Sequence, residues 1–582
     1  LLKWKSLLIY ESKFLKMNIQ GDAVKEMTYD AIVIGSGMSG GWAAKELCDK
    51  GLKTLVLERG REVKHLDDYP TTTMNPWEFP YRGQLPLAVN EANPIADRCY
   101  AFGDATKHFF VKDADHPYVQ EKPFDWIRGY QTGGKSLLWA RQVQRWSRFE
   151  FEAPGRDGFA VDWPIRYDDL APWYSYVEKF VGISGNRDGL ETLPDSEVMK
   201  AWEMNCVEKH IQQRIKESYK DRQFVIGRCA HLTEPQEIHK QQGRGQCQAR
   251  TLCERGCPFG GYFSANSSTL PWAMKTGNMT LRPFSVVHSI IYDEKKGKAS
   301  GVRVIDSNTK EVFEYYARII FVNAAALNSN LLLLNSTSSR FPNGLGNDNG
   351  LLGKFVAFHN YRGTVGATFE GYEDTYYYGR RPTAIMMPSF RNVRKQEEDF
   401  MRGYMTFYSA SRMRTGSEAI GSELKEAAAR PGTWYVGMMM QGETVPIESN
   451  HVRLSTDQKD AWGIPQLITS IEHTDNDVKV MNDFLVQAQE MLDKAGCKNI
   501  IPRDSKQAPG LDIHEMGGVR MGRDPKTSLL NKWNQFHTCK NVFVTDGACM
   551  TSVGNQNPSL TFMAMTARAA NYAVDEINKG NL

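Results

Sequence analysis

The chain has 582 residues, more than one ordinary hydrophobic core accommodates, so at least two lobes are expected. Lys plus Arg (71) nearly balances Asp plus Glu (68) and no basic tract stands out, which argues against a nucleic-acid partner. Hydrophobic residues make up 41% of the chain, yet no uninterrupted apolar run reaches the roughly 18 residues that would span a bilayer.

Residues 1–26 read as an extension ahead of the folded body, disordered or an upstream read-through, with a membrane-surface helix as the alternative. Their short apolar runs are broken by Lys3, Lys5, Glu11 and Lys13, so the uninterrupted core of a Sec signal is not expected there. The first strong element is TYDAIVIGSGMSGGWAAKEL. An apolar strand from Tyr29 to Ile34 ends at Gly35, and GSGMSG turns the chain into a helix carrying Trp42, Ala43, Ala44 and Leu47 at core spacing. A second apolar strand, Thr54 to Leu57, ends in Glu58, 23 residues after Gly35. Each part has a physical job in holding a dinucleotide. Gly35 permits a tight turn, Gly37 lets the backbone approach a pyrophosphate, and Gly40 lets helix and strand pack closely. The helix N-terminus offers free N–H groups, and Glu58 accepts from a ribose hydroxyl. An acid at that position, in place of an arginine, favours FAD or NAD over NADP.

From Glu62 to about Asp125 the periodicity weakens, as suits a long excursion over a ligand or partner. DWIRGYQTGGKSLLWARQVQRW follows, with Gly133 and Gly134 opening a segment that contains Trp139. A helix is predicted within Trp163–Gly185, with Leu170, Tyr174 and Val177 on one face. After Thr280 come strands LRPFSVVHSIIYD, GVRVID and EVFEYYA, which feed a further apolar strand, RIIFVN, and a helix. Between about Tyr361 and Asp475, RGTVGATFE, GTWYVGMMMQGETV and PQLITSIEH alternate as an antiparallel sheet with one wet face does. A helix over 476–494 closes that region, and HEMGGVRMG, NVFVTDGA and a long C-terminal helix complete the chain.

Together, the GSGMSGGWAAKEL turn with Glu58, GGKSLLWARQ, FVNAAALNSNLLLL, HEMGGVRMG and VTDGA...GNQNPSLT resemble the glucose-methanol-choline (GMC) family of FAD-dependent alcohol oxidoreductases, over a span from about Thr28 to the C-terminus. The resemblance implies an α/β fold: a discontinuous Rossmann-like FAD-binding lobe with a β-meander (27–145, 222–357 and 495–582), plus a substrate or cap lobe on an antiparallel sheet (146–221 and 358–494). It implies that His514 is the base that removes a hydroxyl proton while the hydride leaves for the flavin, with Asn557, before Pro558, as its partner. An imidazole titrates near neutral pH and can hold that proton, and an amide orients the hydroxyl without competing for it. It also places Asp546 and Gly547 near the FAD pyrophosphate, sets Gly133, Gly134 and Trp139 along the cofactor, and gives His359 a supporting role.

A second constellation, GQCQARTLCERGCPFGGYFS (loop 245–264), spaces Cys247, Cys253 and Cys257 as C-x5-C-x3-C, with Pro258 closing the run as in bacterial ferredoxin loops. Three thiolates suit a 3Fe-4S cluster, and Cys229 is the candidate fourth ligand of a 4Fe-4S cluster. Zinc bound with His231 or His239, and disulfides or free thiols, are the alternatives; the paired C-x2-4-C spacing usual for zinc is absent. Within the family, the loop and DWIRGYQTGGKSLLWARQ resemble the catalytic subunits of bacterial sugar dehydrogenases, glucoside 3-dehydrogenases nearest. That resemblance implies oxidation of a ring hydroxyl, at C3 of a glucoside, with C1 of glucose or C2 of gluconate as alternatives. It also implies electrons leaving to a cytochrome c acceptor and a small partner subunit carrying a twin-arginine signal, the enzyme being periplasmic by that route or else cytoplasmic. A non-catalytic flavin and metal scaffold and an NAD-dependent dehydrogenase are the readings from other classes. Aromatic side chains of the cap (Trp126, Tyr130, Tyr376, Tyr377, Tyr378) are plentiful enough to stack a sugar, although such runs also serve packing.

Overall fold

A computed structural model describes residues 28–375, 381–414 and 418–582. The extension 1–26 and Tyr376, Tyr377 and Tyr378 lie outside the described residues.

Strand Thr28–Ile34 and strand Thr54–Leu57 pair in parallel, with Ala31 opposite Thr54, as a right-handed strand–helix–strand unit requires. Ala31, Val33 and Val56 fall in one buried cluster and Ile32, Ile34, Leu55 and Leu57 in another, so both faces of the pair are covered, the condition that buries a parallel sheet. The seven-stranded sheet runs Met279–Arg282, Thr54–Leu57, Thr28–Ile34, Val312–Val322, Lys298–Asp306 and Ser285–Asp293, and Val542–Val544 also pairs with Val312–Val322. The last three of the main row form the antiparallel meander expected from the turns EKKGKAS and SNTK. EVFEYYA and RIIFV, predicted as separate strands, are one eleven-residue strand: its first half pairs with the meander and its second half with the parallel core. Helix Met38–Asp49 and the C-terminal helix Ser559–Asn578 pack on one side through Ala43, Leu47, Ala569, Ala570 and Ala573.

A second sheet is antiparallel and runs Lys498–Asp504, Gly363–Phe369, Pro431–Glu443, Tyr404–Arg414, Ile385–Met387 and Val225–Ile226, with His359–Asn360 also paired to Pro431–Glu443. The sheet's core face carries Trp434, Val436, Met438 and Met440, which meet Phe484, Ala488 and Met491 of helix Asp475–Lys494. Each fully buried Phe, Met or Val there is worth roughly 1.5–3 kcal/mol. The alternate residues Tyr435 and Met439 are exposed, giving the one wet face that the sequence pattern predicts.

The sheets do not respect the expected segment boundaries. Val225–Ile226 and Lys498–Asp504, placed by sequence with the cofactor lobe, are edge strands of the second sheet. PQLITSIEH belongs to a third, five-stranded sheet (Met516–Gly518, Lys354–Ala357, His451–Lys459, Pro465–Ser470, Val119–Gln120) that the sequence did not announce. Val225–Ile226, Val119–Gln120, Met516–Gly518 and Lys354–Ala357 are too short to carry a readable alternation, and for the longer strands alternation marks a strand without naming its partner, which tertiary proximity chooses. No helix among the described residues is long and apolar enough to cross a membrane.

Candidate active site

The glycine turn is built as its spacing demands. Gly35 has φ +94°, and a Cβ there would lie 2.3 Å from Asn323 O; a Cβ on Gly40 would lie 1.9 Å from Gly35 O. Those two positions let the helix close onto the strand end. Gly37 differs: its added Cβ would meet only Gly133 O at 3.9 Å, so the space above it is open to a ligand. No side chain caps helix Met38–Asp49, which leaves its first N–H groups available to an anion.

Glu58 accepts from Ser36 N–H (3.2 Å), Ser36 O–H (2.5 Å) and Gly60 N–H (2.9 Å). Burial pushes its carboxyl up, and the Ser36 hydroxyl is the main opposing influence. Ser36 Oγ also accepts from Gly133 N–H at 3.0 Å, so this serine ties the turn, Glu58 and the 133–139 segment together. It is the middle residue of the first GxG, and its type gave no signal of that role. Gly133 has φ +84° and room for no Cβ, which would sit 1.6 Å from Asn266 Oδ1. Gly134 crosses the turn, its added Cβ 3.5 Å from Gly37 Cα. Trp139 is fixed by donating Nε1–H to Phe263 O at 2.9 Å. Asp546 accepts from Ala548 N–H (3.0 Å) and from the Ser329 hydroxyl (2.5 Å), and burial raises it to about 6. A Cβ on Gly547 would lie 2.4 Å from Glu515 O, so the backbone there is held flush against the next motif.

These groups border one cavity of about 1840 Å³, shared by Gly35, Gly37, Glu58, Gly134, Trp139 and Asp546. Beside it Asn323 Nδ2 is buried without a partner. The open space over Gly37, the uncapped helix end, the orphaned amide and the acid on the second strand fit a dinucleotide laid along the wall.

The same cavity reaches His514 and Asn557. His359 Nε2 lies 3.0 Å from Gly554 O and therefore donates to it, so His359 Nδ1 is an acceptor. His514 Nδ1 is 2.8 Å away and must be the protonated nitrogen. The proton chain leaves the lone pair of His514 on Nε2. Burial, then His359 and Lys135, hold His514 well below the ordinary imidazole range, so the imidazole is neutral. Asp512 Oδ2 accepts the backbone N–H of both His359 (2.9 Å) and His514 (3.2 Å), clamping the two histidines at that separation. Burial raises Asp512 to about 7. Asn557 N–H donates to Gln144 Oε1 at 3.3 Å, and Asn557 Oδ1 is buried with no partner. Tyr361 bridges the pair: its ring centroid is 6.1 Å from that of His514, and its hydroxyl meets the Asn557 side chain and donates to Gln441 Oε1. Lys135, 3.3 Å from Glu515 Oε2, adds a cation beside His514. Asp512 and Tyr361 escaped the sequence reading because the contacts that bring them into the site, Asp512 to His359 and Tyr361 to Gln441, span 153 and 80 residues, and no local pattern carries such contacts.

Cys247 and Cys253 also reach this cavity, from the side of Trp139 and Arg141. No disulfide joins Cys247, Cys253 or Cys257, so the loop is not a disulfide staple. Among the described residues, only His359, Asp512 and His514 bring three ligand atoms within 4.8 Å of one another, so the cysteines are not gathered for a single ion. A multi-iron cluster, with bridging sulfides, takes a wider ligand set. Gly261 N–H donates to Cys257 Sγ at 3.3 Å, and His231 Nδ1 lies 3.4 Å from Cys247 Sγ. Burial pushes the free Cys253 thiol up to about 11, with the Arg141 guanidinium opposing it most. Cys229 is fully buried against Ser184 Oγ at 3.2 Å, behind the loop.

Comparison with known proteins agrees with this layout. A 2-methyl-1,2-propanediol dehydrogenase of Mycolicibacterium austroafricanum is 27% identical, covering 93% of this chain and 94% of that one. The fructose dehydrogenase large subunit of Gluconobacter japonicus is 25% identical, covering 95% of this chain and 99% of that one. The solved structure of an Aspergillus oryzae RIB40 formate oxidase, studied for FAD modification, superimposes with a TM-score of 0.60 at 13% identity, covering 95% of this chain and 99% of that one. GMC oxidoreductase models match residues 156–359 and 446–566. With the glycine turn, the His514 site and these matches in one frame, the chain belongs to the GMC oxidoreductase family, FAD-binding enzymes that act on CH–OH groups.

Proposed function

We propose that this chain is an FAD-dependent sugar dehydrogenase that oxidises a ring hydroxyl, the C3 hydroxyl of glucose or a glucoside, to a ketone, and sends the electrons through a 3Fe-4S cluster to a cytochrome-type acceptor. The observation that carries the oxidation is the proton chain Gly554 O, His359, His514, which leaves one basic nitrogen, His514 Nε2, beside the cavity. When bound, FAD supplies the acceptor for the hydride that leaves the carbinol carbon. His514 Nε2 takes the hydroxyl proton, so the C–H pair is released as the carbonyl forms; such a base is worth about a hundred- to ten-thousand-fold in rate. Asn557 orients the hydroxyl, and Tyr361 holds Asn557 and His514 in one frame. Ser36 and Asp512 act on position alone, the first through Glu58 and Gly133, the second through the two histidine N–H groups.

Cys247, Cys253 and Cys257 would hold the cluster, whose chemistry is to pass electrons one at a time. The Arg141 cation and the Gly261 N–H support the negative charge of ligated sulfur there. The likeness to a fructose dehydrogenase large subunit supports a sugar substrate and a partner subunit. The test is an anaerobic absorbance titration of the purified protein with methyl glucoside. Bleaching of the flavin bands together with an iron-sulfur shoulder is the expected result. Bleaching by gluconate and not by the glucoside moves the assignment to C2. A flavin that no sugar bleaches refutes the oxidation, and bleaching without iron refutes the cluster.

A further inference from the structure

Gln441 lies near the end of strand Pro431–Glu443 with its side chain fully buried. It precedes Gly442, which pairs with Asn360, so the register brings it opposite Tyr361. Two groups from other segments meet its amide. Nε2 donates to Asn555 O at 2.6 Å, and Oε1 accepts from the Tyr361 hydroxyl. The direction of each bond is forced. A backbone carbonyl only accepts, so the end of the Gln441 amide at Asn555 O is its NH2. The opposite end is then the carbonyl oxygen, which also only accepts, so the Tyr361 O–H points to it. A hydroxyl has a single proton. With that proton committed, Tyr361 presents lone pairs to Asn557, whose amide meets it with an Nδ2–H. The other end of that amide, Oδ1, is buried with no partner, shut off from the cavity that Asn557 lines. The second Nδ2–H is therefore the polar group that the Asn557 side chain offers to a ligand there.

We infer that Gln441 is a positioning residue for the reaction: acting through Tyr361, it sets the Asn557 amide with its N–H side toward the substrate oxygen. His514 and Asn557 then complement each other on one hydroxyl. His514 Nε2 receives the proton, and Asn557 Nδ2–H donates to the oxygen left behind, a hydrogen bond that strengthens as negative charge develops there. Without Gln441 the Tyr361 hydroxyl is released to donate to Asn557 Oδ1. The amide then turns over and sets a carbonyl lone pair against the developing charge. This inference rests on the alcohol-oxidising reading of His514 and adds to it the residue that fixes the polarity of its partner.

The test is anaerobic, single-turnover flavin reduction of the holoenzyme by methyl glucoside, or by whichever of glucose and gluconate reduces the parent. Kd and the limiting rate are read separately, and bound flavin is quantified in each variant. Gln441→Leu should lower the limiting rate roughly ten- to a hundredfold, less than the hundred- to thousandfold that outright loss of a preorganised donor costs. Kd should stay within about threefold, because the lost bond matters most once the oxygen is charged. In an Asn557→Ala background the same substitution should slow reduction no more than about twofold, since the group that Gln441 aims is gone. Tyr361→Phe keeps the ring and removes the relay, so it should show the same pattern in both backgrounds, and it answers the question should Gln441→Leu not hold flavin. Parent-like rates in flavin-replete variants, a raised Kd at an unchanged rate, or an undiminished loss in the Asn557→Ala background each overturn the inference and leave the His514 reading standing. A parent flavin that all three sugars leave oxidised overturns the His514 reading and this inference with it.

Discussion

Replacing His359 with leucine tests the arrangement on which the proposed chemistry depends. In the parent chain the His514 Nδ1 proton is held by His359 Nδ1 at 2.8 Å, and the opposite side of His359 is locked by Gly554 O at 3.0 Å. Leucine fills similar space but leaves that imidazole N–H buried without an acceptor, at a cost of about 1–3 kcal/mol. The molecule can escape the cost by moving the proton to Nε2 or by turning the ring, and either change takes the lone pair away from the substrate. At about 1.4 kcal/mol per tenfold, flavin reduction by a sugar should slow roughly 5- to 150-fold. Loss should be greater in His514→Ala, where the whole contribution of the base is gone. His359→Gln, whose amide oxygen can accept the same proton, should recover part of the rate. Anaerobic stopped-flow at saturating sugar, with bound flavin quantified in each variant, measures all three. A parent-like rate in flavin-replete His359→Leu would refute the assignment of the tautomer.

Cys253→Ser should lower the iron content and leave sugar-driven flavin reduction intact, while electron delivery to a one-electron acceptor collapses. Full iron content in that variant removes Cys253 from the ligand set. Arg402 and Glu443 pair at 2.9 Å with side chains only 3% and 0% exposed, so Arg402→Leu strands a buried carboxylate and should cost about 3–5 kcal/mol in denaturant unfolding. Stability should also fall in acid. Burial holds His65, His239 and His473 at about 4 and His116 and His359 at about 3, so below pH 6.5 the unfolded chain binds more protons than the folded one. That difference lowers stability as pH drops from 6.5 towards 4. Asp512, raised to about 7, and Asp477 and Asp546, raised to about 6, work in the opposite direction but are fewer. A thermal midpoint that rises between pH 6.5 and 4 would contradict this balance.

The amino-acid order by itself determined whatever depends on near neighbours. Gly40 is required by its contact with Gly35 in the same turn, and Gly35 by its own φ of +94°, so their spacing was readable. The alternation of Trp434, Tyr435, Val436, Gly437 and Met438 likewise announced a strand with one wet face. The order of motifs placed His514, Asn557 and the cysteine loop in one enzyme, but their mutual geometry was open. Tertiary structure decided which nitrogen of His514 is basic, because that depends on His359 and Gly554 from distant segments meeting it at hydrogen-bond range. It decided that Ser36 joins Glu58 to Gly133, a link between residues 97 apart. It also decided that two glycines, unremarkable in their own strands, come into register and leave room for the Tyr435 ring beside them. The physical reason is common to all three: hydrogen bonds and ring contacts are satisfied across space, and the chain sets which groups are available without recording which of them will meet.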